Sequence, residues 1–184
     1  MCAPLSGDYI IHYVHDPYFG AYQNKNINDT LLRMNHWLFK TEESCFSISD
    51  LQKKKRTSWD GVRNFQVRNM IRDEMEIGDK VIFYHSSCAV PAAVGVAKIV
   101  KAGYPDHTAL DTGAEHPDPR STKENPIWYM VDIAFVLLFK NPVTLSAMRH
   151  LPALKEMKLL EKGSRLSITP LSKKHFDLIV KAGA

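Results

Sequence analysis

The sequence predicts an α+β fold, a small mixed barrel or sheet of four to six strands interleaved with short helices. Strand-like apolar runs recur along the chain, and the longest is IWYMVDIAFVLLFKNPV at residues 127–143. The helical segments between these runs are short and irregularly spaced, which argues against a doubly wound parallel sheet. At 184 residues the chain is long enough for one domain with a substantial core.

The composition, 45% apolar and 24% charged, is typical of a folded globular protein. No apolar run approaches the roughly 20 residues that cross a bilayer, so we expect no membrane association. Cys2, Cys45 and Cys88 have no CxxC spacing, which argues against a disulfide framework and a zinc site. We therefore expect a reducing compartment, the cytoplasm of a bacterium or the nucleus of a eukaryote. We also expect a monomer.

Residues 1–33 differ in character from the rest of the chain. They are rich in Tyr, Asn and Gly, and YIIHYV is their one convincing strand-like piece. We expect residues 1–33 to form a partly ordered N-terminal extension, the alternative being a strand at the sheet edge. The domain itself is predicted to occupy residues 34–184.

Capping and turn residues predict where the strands and helices of the first half of the domain begin and end. HWLFKT reads as a strand, and SISDLQKKK as a helix capped by Ser47 or Ser49. SWDGVRN supplies an Asp-Gly turn, followed by an amphipathic helix whose predicted inward residues are Phe65, Met70 and either Ile71 or Val67. Two strands follow, IGDKVIFYHS and PAAVGVAKIVKAGY, and Gly95 in the second marks a bulge or a close backbone approach.

The second half begins with a long Pro-containing surface loop at residues 103–126, around one possible helical turn. The longest strand follows it. Two short helical pieces are separated by Pro152, SRLSITPLS gives a last strand, and Ser172 begins a closing helix.

Positive charge is concentrated between residues 53 and 72, where Asp60 is the single acidic residue. The net charge of +4 permits an anionic partner without requiring one. A solvated basic face is the alternative to a phosphate-binding face. The predicted phosphate-binding residues are Lys53, Lys54, Lys55, Arg56, Arg63, Arg68 and Arg72.

Aromatic and polar residues lie in and around this basic segment. An aromatic face stacks a nucleic-acid base with a gain of roughly 1–3 kcal/mol, and neighbouring polar groups can read the edge of the base. A pocket of this kind suits a base taken out of its stack, whereas the alternative is that the aromatics simply fill the core. The set comprises Trp37, Trp59, Tyr84, Trp128 and Tyr129 with Asp60, Asn64, His85 and Ser86.

Other chemistry has weaker support. His85 and Cys88 lie three apart, and a hydrolase using His85 with Asp60 or Cys88 is the alternative function. His107, Asp111, His116 and Asp118 in the long loop match no closed metal site, and a polar loop over a binding surface is favoured. The chain has no P-loop, no GxGxxG after a strand and no HExxH, so we expect no metal and no cofactor.

From Met34 onward the chain resembles the EVE domain family. The resemblance is carried, in order, by HWLFKTE, WDGVRNFQVRNMIRD, GDKVIFYHSS, GVAKIV, YPD and WYMVDI. It implies a PUA-like mixed β-barrel with short flanking helices, related to PUA and YTH domains. It also implies a reader rather than an enzyme, a module that binds DNA or RNA carrying a modified base. The resemblance implies that modified cytosines, 5-methylcytosine and 5-hydroxymethylcytosine, are the leading candidate ligands.

The resemblance also implies site residues. Walls of Trp37, Trp59 and Tyr84 are expected, and Arg68 and Arg72 are expected to face the phosphates. Thr41 stands where the family pattern has Ser and keeps the hydroxyl. The predicted base pocket comprises Trp37, Lys40, Trp59, Asp60, Val62, Asn64, Tyr84, His85, Ser86 and Trp128. Trp128 is included because it belongs to the aromatic set described above and not because of the resemblance.

Overall fold

A computed structural model describes residues 34–184, so the predicted extension and its YIIHYV segment lie outside the described residues. This part of the chain has the α+β architecture that the sequence predicts, and it contains no helix with the length and apolarity to cross a membrane. The strands are β1 (His36–Glu42), β2 (Arg56–Trp59), β3 (Lys80–Ser86), β4 (Ala92–Pro105), β5 (Tyr129–Thr144) and β6 (Ile168–Leu171). The α-helices are α1 (Ile48–Lys54), α2 (Phe65–Asp73), α3 (Leu145–His150) and α4 (Lys173–Gly183). Short 3-10 helices span His107–Leu110, Pro152–Leu154 and Lys158–Leu160.

The six strands form one mixed sheet in the order β2-β5-β4-β3-β1-β6. β1 runs parallel to β3, with Phe39 opposite Phe83, and the other neighbouring strands are antiparallel. β2 and β6 therefore lie at the two ends of the strand order.

The sheet curls back on itself. Trp59 in β2 lies with its ring centroid 5.1 Å from that of Phe39 in β1 and 5.7 Å from that of Phe83 in β3. Because three strands separate β2 from β1 in the sheet order, these contacts require the barrel-like curvature that the sequence predicts. Within residues 34–184 no strand pairing joins β2 to β1 or β6. We call this unpaired gap the seam.

Irregular pairing of the long strands β4 and β5 accompanies the curvature. Their register shifts at four places, one of them between Ala93 and Gly95. A Cβ atom at Gly95 would lie 2.4 Å from the carbonyl oxygen of Leu137, which confirms the predicted close approach. Bulges of this kind bend a strand and increase its twist, so they allow two long strands to follow a curled sheet.

Both faces of the central strands are buried. In β3, Val81 and Phe83 pack inside the curled sheet with α2, whereas Ile82 and Tyr84 pack on the outer face with α3 and α4. Burial on both faces explains why β3 reads as a continuous apolar run rather than as an alternating one.

The helix starts follow the predicted caps. Ser47 and Asp50 form a capping box at α1, and the Ser172 hydroxyl accepts from the His175 N–H at α4. The expectation that Phe65 faces inward from α2 is wrong, because its side chain is 52% exposed and stacks on Trp128 instead. The buried residues of α2 are Val67, Met70 and Ile71.

Strand β2 was not predicted. Lys55 has a φ of 64°, which is uncommon for a residue other than glycine, and it ends α1 immediately before β2. Residues 60–64, which we call the turn after β2, connect β2 to α2, and Gly61 among them has a φ of 71°, a conformation that favours glycine.

Asp79 joins the start of β1 to the turn before β3. It is 1% exposed, and its carboxylate accepts from the Asn35 N–H at 2.9 Å, the Trp37 indole N–H at 2.8 Å and the Glu76 N–H at 3.1 Å. A buried carboxylate with this many donors fixes local backbone geometry as well as the orientation of the Trp37 ring.

The change Asp79→Ala removes the acceptor for these donors, including the buried indole N–H of Trp37. We expect the free energy of unfolding, measured by urea denaturation, to fall by about 3 kcal/mol or more. Asp111→Ala is the control, because Asp111 accepts from the Gly113 N–H in an exposed loop, and its loss should stay below about 1 kcal/mol. Equal losses in the two variants would contradict the role given to Asp79.

Candidate nucleic-acid interface

A cavity of about 520 Å³ opens along the seam between β2 and β1. β2 and the turn after it form one side, and the end of β1 with the residues before β6 forms the other. The segment around α1 and the loop after β4 complete the walls. The residues lining this seam cavity are Lys40, Thr41, Cys45, Phe46, Lys54, Thr57, Ser58, Trp59, Asp60, Gly61, Val62, Arg63, Thr108, Ala114, Glu115, His116 and Ser167.

Two aromatic side chains give the seam cavity its apolar surface. Trp59 meets the ring of Phe83 edge-on, and the Phe46 ring lies 6.2 Å from the ring of Phe83. Both are partly buried against the inner core, so each is held by packing and still reaches the cavity. The Lys54 ammonium lies 5.4 Å from the Phe46 ring centroid, within the range of a cation–π contact.

Asp106 organises the wall formed by the turn after β2 and the loop after β4. Its side chain is fully buried and accepts from the Gly61 N–H at 3.1 Å, the Arg63 guanidinium at 2.8 Å and the Thr108 hydroxyl at 2.6 Å. Burial acts to raise the pKa of Asp106, but the hydrogen bonds from Thr108 and Arg63 outweigh it and hold that pKa below its ordinary value. The turn after β2 is therefore locked to the loop after β4.

Arg63 extends this link to the far end of the loop. Its Nε donates to the carbonyl oxygen of His116 at 2.7 Å, and its Nη2 donates to the same oxygen. The guanidinium also lies 5.5 Å from the Trp128 ring centroid. Arg63 therefore holds Glu115 and His116 against the seam cavity.

The fold and the cavity can be compared with known proteins. The EVE domain model matches residues 35–182, about four-fifths of the chain. The chain belongs to the EVE domain family. Within that family, thymocyte nuclear protein 1 of Homo sapiens is 41% identical over 165 residues, covering 79% of this chain and 72% of the relative. The Gallus gallus protein of the same name is 43% identical over 79% of this chain and 67% of its own length.

Solved structures of similar proteins share this EVE fold. A Pseudomonas syringae protein is 44% identical with a TM-score of 0.78, covering 81% of this chain and 99% of its own. The human THYN1 protein, solved in complex with DNA containing 5-methylcytosine, is 40% identical with a TM-score of 0.74. That alignment covers 81% of this chain and 97% of the human one.

Four of the predicted pocket residues of this EVE domain line the seam cavity: Lys40, Trp59, Asp60 and Val62. Val62 is buried, whereas Asp60 is exposed at the rim and accepts from the Ser58 hydroxyl at 3.0 Å. Asp60 therefore offers a carboxylate that engages one hydroxyl and no guanidinium or ammonium of the described residues.

The expectation that Trp37, Trp59 and Tyr84 wall one pocket is corrected by the structure, since of these three Trp59 alone lines the cavity. Trp37 is buried with its indole N–H on Asp79. Tyr84 belongs to the outer core on the opposite face of β3, where burial raises its pKa to about 12.

The remaining predicted pocket residues have structural partners elsewhere. The Asn64 side chain accepts from the Val67 N–H as the N-cap of α2, and the Ser86 hydroxyl donates to the Thr41 carbonyl oxygen at 3.2 Å. Trp128 is 2% exposed and donates its indole N–H to Asp118 at 2.8 Å. None of these side chains lines the seam cavity.

His85, also predicted for the pocket, anchors α1. Its Nε2 accepts from the N–H of Ile48, the first residue of that helix, at 3.2 Å. This bond assigns the ring proton to Nδ1, which lies 3.7 Å from the Glu43 carboxylate. Burial lowers the pKa of His85, and the Glu43 charge opposes this only in part.

The predicted phosphate-binding residues divide into two groups. The arginines bind the protein itself, since Arg56 contacts Asp132 at 2.5 Å, Arg72 contacts Asp73 and Arg68 donates to the Ile127 carbonyl oxygen at 2.7 Å. Within residues 34–184 the run Lys53, Lys54 and Lys55 makes no ion pair with a carboxylate. The lysines at the end of α1 are therefore the more available cations.

Sequence reasoning missed Phe46, Thr57 and Ser58 as cavity residues. It did favour a polar loop over a binding surface, and His116 of that loop lines the cavity. Phe46 immediately precedes the N-cap Ser47, and an apolar residue at that position is a known helix-entry signal. No signal in the sequence brings residues 114–116 to β2, because that contact depends on Arg63 and Asp106.

Arg63→Met tests the lock between the turn and the loop. Removal of the guanidinium leaves the buried Asp106 carboxylate undercompensated, so the free energy of unfolding should fall by about 2–3 kcal/mol. Amide hydrogen exchange in residues 111–118 should accelerate. Arg72→Met, which removes an exposed pair with Asp73, should cost below about 1 kcal/mol and leave that exchange unchanged. Similar losses in both variants would contradict the account.

Acidification tests the neutral state of His85. Because its folded-state pKa is below the ordinary value of 6.5, the unfolded chain takes up the proton first. Stability is therefore complete above that value and is lost as the pH falls through the folded pKa. Urea denaturation between about pH 7.5 and about pH 5 should show a smaller loss in His85→Gln than in the wild type. An identical pH dependence in the two proteins would argue against this role of His85.

Proposed function

We propose that this protein is a non-enzymatic binding module that takes a modified cytosine of DNA into the seam cavity. The observation that carries the proposal is the combination of an aromatic cavity surface, Trp59 and Phe46, with a run of lysines at the end of α1. These lysines form no ion pair within residues 34–184. A second support is the similar human THYN1 protein, whose structure was solved with DNA containing 5-methylcytosine.

The cavity offers the interactions that a flipped base requires. Stacking on Trp59 or Phe46 contributes on the order of 1–3 kcal/mol per base. The Asp60 carboxylate accepts from the exocyclic amino group of cytosine, and the hydroxyls of Thr57 and Ser58 lie on the same wall. Val62 offers an apolar contact to a substituent at the 5 position. Extrusion of the base from the duplex costs a few kcal/mol, which these contacts offset.

Lysines at the end of α1 hold the DNA backbone in this proposal. Lys54 lines the cavity, and Lys53 and Lys55 flank it in the chain. Phosphate contacts supply sequence-independent affinity and make that affinity fall with salt, whereas the cavity supplies the choice of base. This division assigns the arginines a mainly structural role.

The alternative of a hydrolase has less support. The Nε2 of His85 is occupied by the Ile48 N–H, and neither His85 nor Cys88 lines the cavity that holds Asp60. A general base must lie within hydrogen-bond reach of the proton it removes, and His85 has no free acceptor nitrogen for that purpose.

The relatives named thymocyte nuclear protein 1 support a nuclear location in a eukaryote.

Fluorescence anisotropy with duplexes that differ in one base tests the proposal. We expect tighter binding to 5-methylcytosine or 5-hydroxymethylcytosine than to cytosine, and a loss of about tenfold or more in Trp59→Leu. Phe46→Ala, which spares the contacts of Trp59 with Phe39 and Phe83, should reproduce the loss. Phe65→Ala is the matched control, because this exposed aromatic stacks on Trp128 outside the cavity.

Equal affinities for the three duplexes, together with wild-type binding by Trp59→Leu and Phe46→Ala, would contradict the proposed function. A single-stranded RNA of the same sequence is measured alongside. Tighter binding to that RNA than to every duplex would overturn the assignment to DNA.

A further inference from the structure

Lys40 is an unusual cation in the seam cavity. It is half-buried at the end of β1, and its ammonium lies 3.5 Å from the Ser164 carbonyl oxygen, a long hydrogen bond. Within residues 34–184 no carboxylate forms an ion pair with it. Because an ammonium carries three donors, Lys40 retains donor capacity that the described part of the protein does not use.

The other two cations of the cavity differ from Lys40. Arg63 pairs with Asp106 and also donates to the carbonyl oxygens of Val62 and His116. Lys54 is exposed and lies over the Phe46 ring. Lys40 is therefore the cation of this cavity that is both desolvated and without a counter-charge among the described residues.

Burial of an uncompensated ammonium is unfavourable. Desolvation lowers the pKa of Lys40, and no nearby charge opposes it. The two carboxylates that line the cavity, Asp60 and Glu115, are exposed and lie next to Ser58 and His116 respectively. An anionic group on the ligand would compensate Lys40 and form a charge-assisted hydrogen bond with it. A hydrogen or a methyl group at the 5 position of cytosine cannot do so.

We propose that Lys40 selects a cytosine whose 5-substituent is a carboxylate, so that 5-carboxylcytosine is the preferred ligand of the seam cavity. This inference rests on the proposed function, because it requires the modified base to enter that cavity. A phosphate of the DNA backbone has related chemistry and could occupy Lys40 instead. The two anionic groups can be distinguished, because a backbone phosphate is present in every duplex, whereas the carboxylate is present only in a duplex that contains 5-carboxylcytosine.

Competition binding with four duplexes separates these sources. The duplexes carry cytosine, 5-methylcytosine, 5-hydroxymethylcytosine or 5-carboxylcytosine at one central position. The wild type should bind the carboxylated duplex about tenfold or more tightly than the methylated one. In Lys40→Met this preference should disappear, because the carboxylated duplex should lose about tenfold more affinity than the methylated one.

Lys54→Met is the matched control, because it removes one charge from the same cavity. It should weaken binding to all four duplexes by a similar factor and leave the preference for the carboxylated base intact. Lys40→Arg keeps the charge and should retain most of that preference. Lys40→Arg gives the measurement a second variant if thermal melting shows that Lys40→Met does not fold.

Three outcomes would overturn the inference. Uniform weakening by Lys40→Met, with a smaller dependence of affinity on salt, would assign Lys40 to a phosphate. Equal binding of the carboxylated and methylated duplexes by the wild type, with both tighter than cytosine, would refute the inference and leave the proposed function standing. Equal binding of all four duplexes would refute both.

Discussion

The packing of Trp59 against Phe39 and Phe83 is the contact on which the architecture of the site depends. It brings the first strand of the sheet order onto strands three and four places away, and so turns a six-stranded sheet into a barrel-like body. Because β2 meets β1 through side chains and not through backbone pairing, a gap remains between them. The cavity lies in that gap, and one aromatic residue serves both the core and the cavity surface.

Polar contacts between distant segments fix the walls of the cavity. Asp106 and Arg63 bind the loop after β4 to the turn after β2, and His85 holds the start of α1, whose far end carries the lysine run. Each of these groups is largely buried, and the loss of either member of such a pair leaves a desolvated partner behind. Arg63 and His85, which could have contacted a ligand, therefore form hydrogen bonds that fix the walls of the cavity. Lys53–Lys55 remain available for the DNA backbone, and Lys40 remains available for an anionic group on the base.

The sequence predicted most elements of the fold because their signals are local. Ser47 and Ser172 cap helices as short-range hydrogen-bond acceptors, as predicted, and apolar runs mark the buried strands. Asn64, which was predicted for the base pocket, also caps a helix. The site was predicted less well, since the pairing of Arg63 with Asp106 spans 43 residues and that of Arg56 with Asp132 spans 76. Alternation along β3 places Tyr84 and Phe83 on opposite faces, but which face lies inside depends on the curl of the whole sheet. Trp37 and Trp59 both pack in the inner core, but Trp37 lies at the start of β1 beside Asp79, whereas the cavity is lined by the end of that strand.

Fluorine NMR of the protein labelled with fluorotryptophan tests the central claim most directly. The chain contains three tryptophans, Trp37, Trp59 and Trp128, and Trp59 alone among them lines the seam cavity. Addition of a duplex with a modified cytosine should shift the Trp59 resonance and leave the resonances of the two buried tryptophans in place. A saturating duplex that leaves Trp59 unchanged, or that shifts Trp37 or Trp128 instead, would contradict a base bound in the seam.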